Sequence, residues 1–288
     1  MPSNPIVVHT IAEFAAVRAK LGADIGFVPT MGALHQGHGQ LVQAARQAHE
    51  TVVVSIFVNP LQFSDLGECE DYEKYPRELD ADVAFLASHG VDVVFAPSVE
   101  EMYPSFPPQL WVRTGRMGEI LEGASRPGHF DGVATVVSQL FHIVRPHTAY
   151  FGQKDAQQVA IIQRLVADLH FPLTIATVPI VRAASGLAES SRNVRLSTSG
   201  KEQAIALSRA MDRIVADFPK VDLDAIKSDV ASSPGVDLDY LVLVHAADLT
   251  EVSEQTLDPA QRYIALTAAW VEGIRLIDAV YLPTSDPS

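Results

Sequence analysis

The chain has a single cysteine, Cys69, so it can form no internal disulfide, and a reducing cytoplasm is the expected setting. Cations are scarce. Lys and Arg number 21 against 35 Asp and Glu, a formal charge of −14. That balance argues against nucleic acid or an anionic membrane surface as a partner. It leaves room for an anionic small substrate, because a local nest of cations and backbone amides can overrule the net field. No apolar run reaches membrane-spanning length. The opening Met1-Pro2-Ser3-Asn4-Pro5 lacks a basic segment followed by an apolar stretch, so no signal peptide is expected. What is present is a hydrophobic content of 48% with 19% charged residues over 288 positions. This describes a soluble globular protein with a large core, in one large or two modest domains.

Through the first 180 residues, strand-like runs alternate with helical periodicity. Strands are predicted at Ile25 to Val28, Thr51 to Val58, Val91 to Phe95, Thr148 to Phe151 and Leu173 to Val178. The run Thr51-Val52-Val53-Val54-Ser55-Ile56-Phe57-Val58 is β-branched and nearly all apolar, as a parallel strand buried on both faces should be. Helices are predicted at His38 to His49, Arg77 to His89, Gly132 to Val144 and Ala156 to Leu169. The rhythm predicts an α/β fold, a Rossmann-like doubly wound parallel sheet. After about Pro179 the pattern becomes two helices, Gly200 to Phe218 and Asp222 to Ala231, and three strands, Asp237 to Val244, Tyr263 to Val271 and Arg275 to Val280. A smaller α+β domain is therefore expected over residues 181–288, after a nucleotide-binding domain over 1–180. The Pro-rich stretch Tyr103 to Pro108 reads as a surface loop.

Ligands of doubly wound sheets sit beyond the carboxyl ends of the strands. Those ends are Thr30-Met31-Gly32, Asn59-Pro60-Leu61-Gln62 and Gly152-Gln153-Lys154-Asp155. The first opens the most informative segment, Pro29 to His38. There His35 and His38 flank a glycine where a strand turns into a helix. Backbone N–H groups and the positive end of the helix dipole make such a turn an anion site. Two histidines three residues apart can also ligate zinc, or be one core and one surface residue. No third ligand stands nearby in sequence, and the glycines favour phosphate. Lys154 could neutralise a reacting phosphate or be a solvated surface lysine. Ser190-Ser191-Arg192-Asn193 could clamp phosphates or cap a helix. Asn59 and Gln62 offer amides that could read the hydroxyls and carboxylate of a small polar ligand.

Taken together, the stretches Pro29 to His38, Val54 to Phe63, Tyr75-Pro76-Arg77, Arg126-Pro127-Gly128-His129-Phe130, Gly152 to Gln158 and Gly186 to Asn193 resemble one family, the pantothenate synthetases or pantoate–β-alanine ligases. They occur in family order across roughly the first two thirds of the chain, and the last third matches more loosely. The resemblance implies ATP-dependent condensation of pantoate with β-alanine through a bound pantoyl adenylate, with release of AMP and pyrophosphate. It assigns His35 and His38 to the phosphates and Lys154 to the charge that develops as the α-phosphate is attacked. Met31, Gly152, Asp155 and Val181 are assigned to the nucleotide, and Ser190, Ser191 and Arg192 to a loop that closes on the triphosphate. That loop and the His-x-Gly-His element are similar to the two signatures of class I aminoacyl-tRNA synthetases. Gln62 and Gln158, with Asn59 beside them, would hold pantoate. Mg²⁺ would arrive with ATP and not in a protein cage. The implied partners are small molecules, with a homodimer as the implied assembly.

The chain departs from the family pattern at Gln153, Ala156, Ala183-Ala184-Ser185, Glu189 and Gly39. Glu189 is the departure with the largest consequence. It places an acid at the nucleotide loop, where it must face solvent, weaken ATP binding or change the closed state. Two rival readings follow, a nucleotidyltransferase with another acceptor and a non-catalytic nucleotide-binding homologue. Pyrophosphate exchange independent of pantoate would mark the first, and ATP binding without turnover the second.

Overall fold

In a computed structural model of the chain, residues 4–253 and 256–285 are described, with Ser191 described in its backbone alone. The chain divides into two compact units. The first comprises residues 1–151 and 161–178, the second residues 152–160 and 179–288.

The first unit is built on a six-stranded sheet of β1 (Ile6–Val8), β2 (Ile25–Thr30), β3 (Thr51–Ile56), β4 (Val93–Phe95), β5 (Thr148–Gly152) and β6 (Thr174–Val178), in the order β1-β4-β3-β2-β5-β6. The pairings from β1 through β5 are parallel. The chain winds outward one way from β2 to β3 and β4, then returns to add β5 on the other side of β2. The reversal between β2 and β5 is the switch point at which such sheets open a crevice. Val52, Val53 and Val54 are fully buried, as a strand covered on both faces requires. On one face, Leu41, Val42 and Ala45 of the helix Gln36–Ala48 pack with Val28, Val54, Leu86 and Val94. The helix His129–Val144 is buried along most of its length. Its C-terminal carbonyls are capped by Arg18, whose Nε donates to Val144 O at 2.9 Å.

Several predicted boundaries overshoot by one or two residues, among them the starts of β4, at Val93, and of the helix Leu79–Ser88. β3 stops at Ile56, two residues short of Val58, where the chain turns toward Asn59-Pro60. His49 ends the helix with extended φ/ψ and does not belong to it. The edge strand β1 and the helix Ile11–Arg18 have no counterpart in the sequence reading, because three residues and a weak apolar stripe give little periodicity. The stretch Tyr103 to Pro108 is a loop exposed at residues 104–107, as expected, and Tyr103 alone departs from that reading. Its side chain is buried and its hydroxyl donates to Asn59 Oδ1 at 2.8 Å.

The second unit contains the antiparallel sheet β7 (Val236–His245), β8 (Tyr263–Val271) and β9 (Ile274–Tyr281), in the order β7-β8-β9. The helices Thr198–Asp217 and Leu223–Ala231 supply Leu207, Met211, Ile214 and Ile226 to a core shared with Leu241, Leu243, Ala265 and Ala269. Glu272 sits at the start of the longer helix. Its carboxylate accepts from Ser197 N at 2.9 Å and from Ser197 Oγ at 2.5 Å.

Candidate active site

The turn after β2 is held by a residue the sequence reading did not single out. Asp82 is buried, and its two carboxylate oxygens accept from Ala33 N at 3.0 Å and Leu34 N at 2.9 Å. Gly32 has φ +83 and Ala33 φ +51. A Cβ on Gly32 would lie 2.8 Å from Asp82 Oδ2, so the glycine admits both the left-handed conformation and the carboxylate beneath it. Ala33 carries the same conformation with a side chain, at a cost that the two charge-assisted hydrogen bonds offset.

That turn delivers His35 and His38 as a reciprocal cap on the helix Gln36–Ala48. His35 Nδ1 accepts from Gly37 N at 3.1 Å, and His38 Nδ1 accepts from His35 N at 3.2 Å. A ring nitrogen that accepts is unprotonated, so each neutral imidazole carries its proton on Nε2. The rings lie 4.2 Å apart between centroids, tilted by 50°. Gly37 is required for this arrangement, since a Cβ there would stand 2.8 Å from His35 Cε1. The result is a helix N-terminus, with its dipole, presenting two N–H donors of fixed tautomer. Gly39 is also packed against histidine: a Cβ on it would meet His89 Nε2 at 2.7 Å.

At the end of β3, Asn59 is saturated by its surroundings. Its Nδ2 donates to Gln62 Oε1 and to Gly132 O, each at 3.1 Å. Its Oδ1 accepts from Leu61 N at 3.3 Å and from the Tyr103 hydroxyl. Burial pushes the Tyr103 hydroxyl pKa well above the ordinary tyrosine value, which keeps it a donor. Asn59 therefore fixes Gln62, and no amide hydrogen of Asn59 is left for a ligand. Gln62 Nε2 lies 3.0 Å from Met31 Sδ, so Met31, Asn59 and Gln62 form one group. The backbone carbonyl of Gln62 accepts from His129 Nδ1 at 2.8 Å and from Arg126 at 3.3 Å. Gly132 lets the helix His129–Val144 approach the turn Pro60–Gln62 this closely. A Cβ on it would lie 2.3 Å from Leu61 O and 2.6 Å from Gln62 N.

In the second unit, Lys154 lies in the turn Gln153–Asp155 with its side chain 21% exposed, so it is not a fully solvated surface lysine. Its Nζ is 3.4 Å from Asp155 Oδ1. Gln158 follows four residues on, in the first turn of the helix Ala156–Asp168. Gly152 ends β5. Lys154, Ser190, Arg192 and Asn193 line one cleft with Arg275 and Asp278. The acid there is neutralised, because Asp278 is buried and takes two bonds from Arg182 at 2.6 and 3.0 Å. Arg275 is engaged with Asp239 at 2.6 Å and Lys154 with Asp155 at 3.4 Å, and Arg192 adds a further cation to the lining. Ser190 Oγ accepts from Arg192 N at 3.2 Å and Asn193 Nδ2 donates to Ala188 O at 2.8 Å, so the loop is shaped by its own side chains. The side chain of Ser191 lies outside the described residues. Glu189 N donates to Val181 O at 2.9 Å, which ties Val181 to the base of the loop. The Glu189 side chain is half-buried and has no hydrogen-bond or ion-pair partner among the described residues.

Asp82, Tyr103 and Gly132 were missed by the sequence reading, and Arg126 and His129 were noted only as parts of a matching stretch. No local signal marks Asp82 or Tyr103, since each acts on residues more than 40 positions away. The glycine inside the helical run Gly132 to Val144 was the one available sign of close backbone approach.

A family model described as pantoate-beta-alanine ligase matches residues 6–281. The chain is 58% identical over 264 residues to a pantothenate synthetase of Corynebacterium efficiens, the match covering 90% of this chain and 91% of that one. It is similar to a crystal structure of pantothenate synthetase from Thermus thermophilus at TM-score 0.85 and 44% identity, covering 96% of this chain and 98% of the other. A Francisella tularensis pantoate-beta-alanine ligase, crystallised with beta-gamma ATP and beta-alanine, matches at TM-score 0.77 and 37% identity over 99% of this chain and all of that one.

Proposed function

The chain belongs to the pantoate–β-alanine ligase family, and on that premise we propose how its residues divide the work of the reaction. The enzyme condenses pantoate with β-alanine at the expense of ATP, giving pantothenate, AMP and pyrophosphate. A carboxylate is a poor electrophile at neutral pH, so it is first joined to AMP. A pantoate carboxylate oxygen attacks the α-phosphorus, and the bond to the bridging oxygen breaks with departure of pyrophosphate. The β-alanine amine then attacks the acyl carbon and AMP leaves.

His35 and His38 are proposed to donate from Nε2 to phosphate oxygens, a role supported by their Nδ1 atoms both being occupied as acceptors. Met31 lines the ligands beside Gln62. Gln62 and Gln158 hold pantoate. Asn59, expected from sequence to touch the ligand, is a positioning residue whose side chain is fully used in orienting Gln62, with Tyr103 behind it. Lys154 stabilises charge at the α-phosphate in the transition state, and donors fixed in advance are the efficient way to do so. Gly152, Asp155 and Val181 serve the nucleotide, while Ser190, Ser191 and Arg192 form the loop over the triphosphate. Mg²⁺ enters as part of the nucleotide substrate. The enzyme works in the cytoplasm as a homodimer, in a nucleotide-binding domain over 1–180 and a smaller domain over 181–288.

The reciprocal histidine cap at a helix N-terminus is the observation that carries this assignment of roles. Purified enzyme with all three substrates should form AMP and pantothenate, and pyrophosphate exchange into ATP should require pantoate. Exchange that proceeds equally well without pantoate would point to another acceptor. ATP binding with no AMP formed would point to the non-catalytic reading.

A further inference from the structure

The carboxyl ends of the strands carry the chemistry, but a second cluster of ligating side chains lies at the opposite rim of the same sheet. Asp24 immediately precedes β2, His49 lies two residues before β3, and His147 immediately precedes β5. Because β3, β2 and β5 are adjacent, their amino ends bring these three residues together. One donor atom from each lies within 4.8 Å of the others. None of the three has a part in adenylation or amide formation.

The cluster is supported from behind. The His49 side chain is 5% exposed and its Nδ1 is 2.5 Å from Asp24 Oδ1. The other oxygen of Asp24 accepts from Glu50 N at 3.1 Å, which fixes the carboxylate plane. His147 Nδ1 is 3.2 Å from Thr148 Oγ1, which orients that ring. Ligating groups steered by such outer partners are the usual construction of metal sites. Gly26 stands inside β2, where glycine weakens a strand, and a Cβ there would lie 2.7 Å from His49 Cδ2. The ring occupies the space the missing side chain leaves. Asp24 is 46% exposed, so water reaches the cluster.

We propose that Asp24, His49 and His147 bind a divalent cation of the zinc class, with water completing the coordination. Two imidazole nitrogens and one carboxylate oxygen are a donor set suited to Zn²⁺ and poorly suited to Mg²⁺. Tetrahedral zinc with bonds of about 2.0–2.1 Å holds its ligand atoms roughly 3.3 Å apart. The cation would replace the proton that His49 and Asp24 share and open that pair by under about 1 Å, while the wider separations close through side-chain rotation. A bound cation would tie together the starts of three adjacent strands and stabilise the folded unit in proportion to free zinc.

The test is calorimetric titration of the full-length enzyme with Zn²⁺ in buffer containing excess Mg²⁺. Tetrahedral Co²⁺ absorption serves as the spectroscopic check, and the variants are His147→Ala, Asp24→Asn and His35→Ala. The expected result is one saturable equivalent and a rise in Tm of several degrees with zinc. Both should disappear in His147→Ala and Asp24→Asn and persist in His35→Ala. His147 is exposed, so His147→Ala should keep the zinc-free Tm of the parent; Asp24→Asn also gives up the carboxylate on which His49 and Glu50 N converge, so its zinc-free Tm should fall and its readout is the loss of the zinc-dependent rise. The proposal is overturned if the parent binds no saturable equivalent. It is equally overturned if the equivalent survives in His147→Ala and Asp24→Asn, or is lost only in His35→Ala.

Discussion

Replacing Asp82 with asparagine keeps the volume of a buried side chain and changes only what its two terminal atoms can do. In the native turn, both oxygens accept, one from Ala33 N at 3.0 Å and one from Leu34 N at 2.9 Å. An amide offers a single acceptor, so one backbone N–H would face an NH₂ group and lose its bond. The surviving bond would become neutral. A hydrogen bond to a charged group contributes about 1.5–3 kcal/mol and a neutral one about 0.5–1.5. The loss of one and the weakening of the other therefore come to about 3 kcal/mol. Ala33 and Leu34 are only half-buried, so water recovers part of this and about 2 kcal/mol is the expected net cost. Ala33 would also lose the restraint that holds it at φ +51. The turn would relax and carry the two histidines at the helix start with it. Urea unfolding should show a lower midpoint at unchanged m-value, and the KM for ATP should rise at least about tenfold, more than the KM for β-alanine. A folded Asp82→Asn enzyme with a stability within about 0.5 kcal/mol of the parent and an unaltered KM for ATP would refute the reasoning.

Gly132→Ala forces a Cβ to within 2.3 Å of Leu61 O, so the turn bearing Gln62 must withdraw by roughly 1 Å. The expected result is about 1–3 kcal/mol of lost stability and a raised KM for pantoate, and an unchanged KM would show that Gln62 does not bind it. Lys154→Ala should raise the adenylation barrier by about 2–4 kcal/mol with little effect on the urea midpoint. Pre-steady-state measurement of pyrophosphate release checks this. Tyr103→Phe leaves the fold in place but removes one of the four hydrogen bonds that hold Asn59, and should raise the KM for pantoate several-fold more than it lowers kcat. Equal effects on both would assign the hydroxyl a merely structural role. Glu272 has its pKa held below the ordinary glutamate value by the hydrogen bonds from Ser197 side chain and backbone and from Gly200. A depressed carboxylate contributes stability that is complete above its unfolded pKa of about 4.3 and lost as pH falls through the lower folded value. Glu272→Gln should remove that part of the acid sensitivity, read as a smaller drop in Tm between neutral and acid pH.

Much of the site was legible because its geometry is local. The histidine cap closes within three residues, from His35 to Gly37 and from His38 back to His35, so a segment read as an anion-binding turn contained most of what it needed. The long buried strand β3 announced itself through unbroken β-branched residues. Tyr103 was misread because proline after it signals a turn, while its burial depends on Asn59, 44 residues earlier. Asn59 was read as a ligand contact because an amide after a strand can bind one. Its proposed positioning role rests on Gly132 O and Tyr103, neither of which is near it in sequence.

The sequence by itself determined the alternation of strands and helices, the change of pattern near Pro179 and the family to which the motifs belong. Each of these rests on periodicity or spacing within a few tens of residues. Tertiary structure alone decided what supports the turn after β2 and that the Asn59 side chain is bonded to Gln62, Gly132 and Tyr103. It also decided that Asp24, His49 and His147 meet. Parallel strands place residues from distant parts of the chain side by side at each rim of a sheet. Their order, β3 beside β2 beside β5, is set by how the whole core packs.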